Sequence, residues 1–387
     1  MSRLFHRVAI GLIAIGLVIV FYSLWRVQSA QTTFAAETAL PSVILTTNWK
    51  IPVKPLTAAS VSPDGRFIVT IGPEDTVTCR NAQGKLIWQT QVKHATHGLI
   101  SSGGSVAMVY SWMNPAESHV TFIARDGSVR WHQKVTGAIW CAAVAQNDSL
   151  FAVGTGEKWV YIYSVEEYRK RYARWRLPGV VNSLAFFPDG KYVAYGTWQN
   201  SSVGVSELDG TKIWQQPGDP DKLYSVSVSA AGKHVLAVGV PNRRLPNAVV
   251  SLYTVENNLL WTRTVDGLDV RGDILNLGYG AALSYKKVIT QKDRDVAGRY
   301  ISLVSRSGGQ QWQKGGMFFQ PQFIAFTREG MLVHDDRSLY GLDLSGKVTS
   351  MLKLPATVRF CATDSAGRSI VVYCGDGNLY SLAVKTR

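Results

Sequence analysis

A short motif recurs along nearly the whole chain: a tight turn that leads into a strand carrying a tryptophan. It is clearest in GKLIWQTQV, Gly84 to Val92, and it returns as GSVRW, GTKIW, NNLLW and GGQQW. Weaker copies end at Trp49 and Trp175, and a copy at Ser350 lacks the tryptophan. The intervals between these eight positions are 39, 43, 44, 39, 47, 51 and 38 residues. That period is typical of one four-stranded blade, so the repeat predicts an all-β propeller of antiparallel blades.

Each repeat follows one internal plan, which is clearest between Leu56 and Val92. A first strand runs into the turn Ser62 to Gly65, where proline presets φ and glycine permits the positive φ that the turn needs. The strands FIVTIG and TVTCR follow, and then the tryptophan strand. The first turn has counterparts at Phe187–Gly190, Ser229–Gly232, Thr327–Gly330 and Ser365–Gly367. Short strands with turns this regular exclude a helical solenoid.

The two ends of the repeat region complement each other. The last repeat, from about Pro355, has three strands, whereas the leading segment Ile44 to Val53 has only a tryptophan strand. Joining them into one composite blade closes the ring and removes an exposed sheet edge. We therefore predict one domain, residues 44–387, with eight blades. Seven blades is the alternative, because the repeat ending at Trp312 is long and the one ending at Ser350 is degenerate.

The start of the chain is apolar. Val8 to Trp25 is a run of 18 residues without a charge, long enough for a transmembrane helix. A cleaved signal peptide is the alternative, although its apolar region is usually only about 7 to 15 residues long. Arg3 and Arg7 precede the run, so the positive-inside rule leaves residues 1–7 in the cytoplasm. We expect a single-pass cell-membrane protein with a linker at 26–43 and the propeller on the extracytoplasmic side.

The turn-and-tryptophan repeat resembles that of the quinoprotein-type propellers, also called PQQ-like repeats, over essentially residues 44–387. In that family the tryptophan docks between blades. The resemblance implies this structural role for Trp49, Trp88, Trp131, Trp175, Trp214, Trp261 and Trp312. The S-P-D-G turns are similar to those of WD40-like propellers, but no Trp-Asp dipeptide occurs in the sequence.

Catalysis is not predicted. Quinoprotein dehydrogenases carry metal-binding carboxylates and commonly an adjacent cysteine pair, and no two of the four cysteines are adjacent here. The resemblance is therefore to the non-catalytic branch of the family, with no cofactor and no catalytic residues. A small-ligand sensor or quinoprotein-like enzyme that uses the central channel is the alternative. Polar side chains that converge from the first strands would favour it.

Two further patterns in the sequence concern a possible disulfide and a possible zinc site. Cys361 and Cys374 should lie on neighbouring strands, where they could form a disulfide or remain buried thiols. His94 and His97 have a spacing that could hold zinc on a helix, but they join two blades and have no third ligand nearby in the sequence. We predict no metal site.

The net charge of +14 favours an acidic protein partner or an anionic envelope polymer. Nucleic acid is not expected, because no recognition motif is present. The longest connections join second to third strands, at Ser111–Ser118, Pro241–Asn247 and Lys286–Arg299, and long loops often carry binding function. The candidate partner-binding residues are Arg243, Arg244, Lys286, Lys287, Lys292, Arg294 and Arg299, with Trp112 and Met113 as an apolar contact. The basic run Arg169 to Arg176 is a second candidate. The predicted function is that of a protein-binding or scaffolding module.

Overall fold

The computed structural model describes residues 43–116, 118–147, 150–166, 171–241, 245–275, 280–291, 294–316, 319–327 and 330–386. The predicted membrane segment 8–25 and nearly all of the linker lie outside these ranges. Within them, no helix is long and apolar enough to cross a membrane.

In the described ranges, thirty-two strands form eight antiparallel sheets of four strands each, which are the blades. The strand β1 (Val43–Pro52) belongs to the last blade. Blade 1 contains β2 (Ala58–Val61), β3 (Phe67–Ile71), β4 (Thr76–Asn81) and β5 (Leu86–Gln91). Blade 2 contains β6 (His97–Ile100), β7 (Val106–Tyr110), β8 (His119–Ala124) and β9 (Val129–Lys134). Blade 3 contains β10 (Ile139–Val144), β11 (Leu150–Thr155), β12 (Trp159–Ser164) and β13 (Arg171–Arg176). Blade 4 contains β14 (Val180–Phe186), β15 (Tyr192–Trp198), β16 (Ser202–Glu207) and β17 (Lys212–Pro217).

The second half of the ring repeats this order. Blade 5 contains β18 (Lys222–Val228), β19 (His234–Pro241), β20 (Ala248–Thr254) and β21 (Leu259–Val265). Blade 6 contains β22 (Leu268–Ile274), β23 (Gly280–Gln291), β24 (Arg294–Ser305) and β25 (Gln310–Gly316). Blade 7 contains β26 (Gln322–Phe326), β27 (Gly330–His334), β28 (Ser338–Asp343) and β29 (Val348–Lys353). Blade 8 contains β30 (Val358–Thr363), β31 (Ser369–Cys374) and β32 (Asn378–Thr386), together with β1.

Within each blade we call the strands a to d, from the centre of the ring outwards. The a strands of neighbouring blades contact one another, so they surround the centre. The b strands are apolar along almost their whole length, as in β7, VAMVY, where every residue is buried. Both faces of a blade pack against neighbouring blades, which explains why these strands do not alternate between polar and apolar residues. The core therefore lies between blades, as where Leu236 and Val250 of blade 5 cluster with Leu283 of blade 6.

The eighth blade joins the two ends of the chain. Strand β1 pairs antiparallel with β32, from Val43 opposite Thr386 to Pro52 opposite Asn378. On the inner side of the same blade, in the turn between β30 and β31, Ser365 Oγ donates a hydrogen bond to the carbonyl of Pro63 in blade 1 at 2.8 Å. The all-β, eight-bladed fold is confirmed, and the seven-bladed alternative is wrong.

The tryptophans of the d strands reach into the next blade. The indole Nε1 donates to a backbone carbonyl in the c–d turn of that blade from Trp49 to Ala82, Trp175 to Leu208, Trp214 to Val255 and Trp312 to Leu344, at 2.7 to 3.1 Å. Trp88 and Trp261 lie against the turn glycines Gly127 and Gly308 of the following blades. Trp131 packs edge-on against Tyr163 of blade 3, with ring centroids 5.7 Å apart. This contact between successive blades is the role that the resemblance implies.

Candidate functional site

The propeller has two faces, and the longer connections emerge on one of them. Because the strands alternate in direction, the b–c hairpins and the d–a connections share one face, which we call the b–c face. The a–b and c–d turns share the other face. The predicted partner-binding residues that the structure describes lie on the b–c face.

The b–c connection of blade 6 is a β-ribbon. Strands β23 and β24 pair from Gly280 opposite Ser305 to Gln291 opposite Arg294. Their flanking strands stop earlier, since the last pairs are Leu268 with Lys286 and Arg299 with Gly316. The prediction of an irregular loop at Lys286–Arg299 was wrong. Its β-branched residues, VIT at 288–290 and a valine at 296, favour continued strand pairing.

The two predicted lysines of this ribbon are paired with carboxylates. Lys286 forms an ion pair with Asp269, and Lys287 lies 3.3 Å from Asp266. Both aspartates lie on or beside the connection between blades 5 and 6, and the sequence analysis missed them. Exposed ion pairs of this kind contribute only about 0 to 1 kcal/mol each to the free energy of folding. A carboxylate of a partner protein could therefore replace the aspartates as the partners of these lysines.

Four predicted residues cannot be placed as side chains. Arg243, Arg244 and Lys292 lie outside the described residues, and only the backbone of Arg294 is described. The proposal that they join a common basic surface stays a prediction.

A cavity of about 740 Å³ opens among blades 5 to 8 near the centre of the b–c face. Its charged lining residues are Asp269, Arg271, Lys286, Arg299 and Arg359, and His334 also lines it. We call it the cationic cavity. Lys286 and Arg299 were predicted as partner-binding residues, whereas Arg271 and Arg359 were missed. Both missed arginines lie on a strands and follow a buried valine, a Val-Arg pair that could have been noticed in LDVRGDI and VRFCAT.

Local backbone geometry helps to direct these side chains. In blade 8, Val358 is opposite Cys374 and Phe360 is opposite Tyr373, so Arg359 is the extra residue of a β-bulge. Bulges re-aim a side chain relative to the regular pleat. The side chains of Arg271, Arg299 and Arg359 have no hydrogen bond or ion pair to any other described residue. Within the described part of the chain, these three guanidinium groups are therefore available to a ligand.

The imidazole of His334 lies at the wall of the cavity, with Nδ1 2.9 Å from the carbonyl oxygen of Asp335. Burial lowers the pKa of His334 below its ordinary value of 6.5, and Arg299 adds to this shift, while Asp335 and Asp336 oppose it. His334 is therefore neutral at neutral pH, and the charge of the cavity comes from its arginines and lysine.

An aromatic arc occupies the other side of the b–c face. Trp112 and Met113 are 47% and 42% exposed, and Trp112 Nε1 donates to the carbonyl of Trp140 at 2.9 Å. Trp140 in turn packs against Trp198, with ring centroids 5.6 Å apart. The arc of Trp112, Trp140 and Trp198 spans blades 2 to 4. Its exposed end, Trp112, was predicted from the sequence, whereas Trp140 and Trp198 were not.

The basic run from Arg169 to Arg176 has a packing role where it is described. Arg171 to Arg176 is the outer strand β13, on the rim of blade 3. The guanidinium of Arg174 lies 4.2 Å from the ring centroid of Trp159, and that of Arg171 lies 5.5 Å from Tyr161. Cation–π contacts of this kind stabilise the charge at the rim without a partner.

All four cysteines are free thiols. Cys361 is opposite Val372 rather than Cys374, so the hairpin register does not align the two sulfurs. Burial raises the pKa of Cys79 to about 12, which keeps this thiol protonated and unreactive at neutral pH.

His94 and His97 lie where the chain enters blade 2, and His97 is the first residue of β6. His97 stacks on Tyr110 with centroids 5.7 Å apart, and Thr96 Oγ1 lies 3.1 Å from its Nδ1. Among the described residues, no group of three or more His, Cys, Asp or Glu side chains could hold a metal ion.

The fold defines a class: the chain is an eight-bladed β-propeller, and its turn-and-tryptophan repeat is similar to the PQQ-like repeats. The model of the family described as outer membrane protein assembly factor BamB matches residues 23–170. No curated protein matches the chain.

Two solved structures are similar in fold. BamB from Moraxella catarrhalis is 12% identical, with a TM-score of 0.63, and the match covers 88% of this chain and 100% of that one. The β-propeller domain of Cps50 (Swd1) from Myceliophteria thermophila is also 12% identical, with a TM-score of 0.55 and the same coverage. Identities this low indicate a shared fold and leave function to the site.

Proposed function

We propose that this protein is a non-catalytic protein-interaction module that binds its partner through the b–c face. The observation that carries this proposal is the placement of the aromatic arc, with its exposed Trp112, and the cationic cavity on one face. Tryptophan and arginine are the residues most enriched among interface hot spots. The description of the matched family as an assembly factor agrees with a module that holds another protein.

The cavity chemistry favours binding over catalysis. Two arginines do converge from a strands, which is the kind of feature that an enzyme or sensor would also use. However, Asp269 is the one carboxylate among the described lining residues, and it is ion-paired with Lys286. General acid–base catalysis needs a group whose pKa is matched to proton transfer and which can reach a substrate. An exposed, lysine-paired aspartate is poorly suited to that role.

Location is part of the proposal. The run of 18 uncharged residues at 8–25 and the preceding arginines support a membrane anchor with the propeller outside the cytoplasm. Protease added to intact spheroplasts should digest the propeller. A protected propeller would reverse the orientation, and a mature chain that begins beyond residue 25 would remove the anchor.

The binding face is tested by site-specific photo-crosslinking in cells. A photoreactive phenylalanine analogue at Met113 should crosslink one protein reproducibly, and the same analogue at Tyr172 should not. Tyr172 is a matched control because it is 60% exposed but lies on the outer rim.

The captured protein is then purified and its affinity is measured. Trp112→Ala should weaken binding by about 10-fold or more, as expected for a hot-spot tryptophan. Tyr172→Ala should leave the affinity unchanged. Crosslinks only at Tyr172, or equal affinities for both variants, would contradict the proposed face.

A further inference from the structure

We propose that the cationic cavity is a receptor for carboxylates, and that its ligand is an acidic segment of the partner protein. This inference rests on the proposed function and assigns the partner's chemistry. The cavity holds more positive charge than the described carboxylates neutralise.

The charge balance of the lining is unequal. Asp269 is held by Lys286, so these two groups neutralise each other. Arg271, Arg299 and Arg359 then remain without a paired carboxylate among the described residues. An acidic ligand would supply the missing charges.

Guanidinium groups favour a particular kind of anion. Their planar, five-donor geometry binds carboxylate through two parallel hydrogen bonds, which a lysine ammonium cannot do. Arg271 and Arg359 come from blades 6 and 8, on either side of blade 7, so one ligand with several carboxylates could engage both walls.

The uncharged side chains that line the cavity indicate that the ligand also has an apolar part. Tyr285, Phe323 and Phe360 line the cavity along with Ile324 and Val240. Its volume of about 740 Å³ is far larger than one inorganic anion requires and suits several peptide side chains. A peptide that carries both carboxylates and methylene groups fits this lining better than a bare anion does.

Position favours a protein as the source. The cavity opens on the same face as the aromatic arc, so a partner that covers Trp112 could also place an acidic segment over the cavity. The ribbon of blade 6 contributes Lys286 and Arg299 to the cavity wall and projects beyond it, next to the path of such a segment.

The test uses a fluorescently labelled hexaglutamate peptide as the probe and the full-length protein as the receptor. Anisotropy should show binding that weakens as salt rises, because the contacts are charged. Hexaglutamine should not bind. Arg271→Gln/Arg359→Gln should lower the hexaglutamate affinity by about 10-fold or more, because the charge-assisted hydrogen bonds of both guanidinium groups are lost.

A charge-matched control separates the cavity from a general effect of net charge. Arg125→Gln/Arg306→Gln removes the same charge from exposed c–d turns on the opposite face. This control should bind hexaglutamate as the unmodified protein does. Equal losses in both double variants, or no loss in the first, would overturn the inference.

Free anions distinguish the source of the carboxylate. Glutarate and inorganic phosphate should compete with hexaglutamate only at much higher concentration. If either competes as well as unlabelled hexaglutamate, the cavity is a small-anion site and the peptide assignment fails. Failure of this inference is distinguishable from failure of the proposed function. If Trp112→Ala weakens binding of the partner protein while Arg271→Gln/Arg359→Gln does not, the proposed function holds and the assignment of the cavity fails.

Discussion

The indole Nε1 of Trp49 donates a hydrogen bond to the backbone carbonyl of Ala82 across 2.7 Å. Trp49 lies on the outer strand of blade 8 and Ala82 lies in the c–d turn of blade 1, so this bond joins the last blade to the first. Gly84, two residues further along, has φ of +80°, and a Cβ there would lie 2.9 Å from the indole. The turn and the tryptophan therefore fit only as a pair.

Removing this contact should loosen ring closure. We expect Trp49→Phe to lower the free energy of unfolding by about 1 kcal/mol through the lost hydrogen bond. Trp49→Ala should cost about 3 kcal/mol, because ring packing is lost as well. Chemical denaturation measures both. Tyr172→Ala, on the rim, should change stability by less than about 0.5 kcal/mol. A Trp49→Ala protein as stable as this control would show that the contact between Trp49 and blade 1 does not contribute to stability.

Deleting residues 43–52 should have a larger effect than any single substitution. The deletion removes β1, leaves β32 with an unpaired edge and exposes the side of blade 8. We expect a loss of several kcal/mol or aggregation, read by thermal unfolding and size-exclusion chromatography. The control is a chain that starts at residue 42 and keeps β1. Equal melting temperatures for the two chains would refute closure by β1.

Two adjacent glycines in blade 6 should respond differently to alanine. Gly308 has φ of +82°, and a Cβ there would lie 2.9 Å from the ring of Trp261. Gly308→Ala should therefore cost about 2 kcal/mol or more. Gly309 has no atom closer than 3.5 Å to such a Cβ, so Gly309→Ala should be neutral or slightly stabilising. The denaturation midpoints of the two variants measure this difference. Equal losses of stability in both variants would mean that the contact with Trp261 is unimportant.

His334 should contribute to acid sensitivity. Its folded-state pKa is lowered chiefly by burial, so the unfolded chain binds the proton more tightly. Stability is therefore present above pH 6.5, the ordinary pKa, and is lost as the pH falls from there towards the folded-state pKa. We expect His334→Gln to lose less stability than the unmodified protein over this range. The pKa values of His97 and His234 are also lowered, so these two residues retain part of the acid sensitivity in the variant. Burial raises the pKa of Asp273, which therefore acts in the opposite direction. Identical slopes of unfolding free energy against pH would exclude the contribution of His334.

One apparent defect in the repeat has a structural cause. The tryptophan position of blade 7 is Ser350, and the next blade is blade 8. In blade 8 no turn joins strands c and d, because these are β32 and β1, from opposite ends of the chain. A tryptophan at 350 would have no c–d turn carbonyl to receive its N–H. Ser350 instead lies beside Gly341, close to Val43 at the start of β1. The degenerate repeat therefore supports the composite blade, although in the sequence it was the reason to consider seven blades.

The candidate site was predictable only in part. Trp112 and Met113 were found because they lie in the long b–c connection of blade 2, and Lys286 and Arg299 because they lie in the long b–c connection of blade 6. Asp266 and Asp269 were missed, since the pairing of a ribbon with a preceding connection depends on how far the strands extend. Strand extension depends on cross-strand pairing more than on intrinsic propensity, so it is hard to read from one strand alone.

The sequence by itself determined the repeating unit, the strand order in each blade and the closure of the ring. These follow from local turn chemistry and from a period that returns eight times, and local rules are written residue by residue. Only the tertiary structure decided that Arg271 and Arg359 share a cavity, that Trp140 supports Trp112, and that Lys286 meets Asp269. Those groups are distant in sequence or turned by bulges, and they meet because the closed ring brings the a strands of separate blades around one centre.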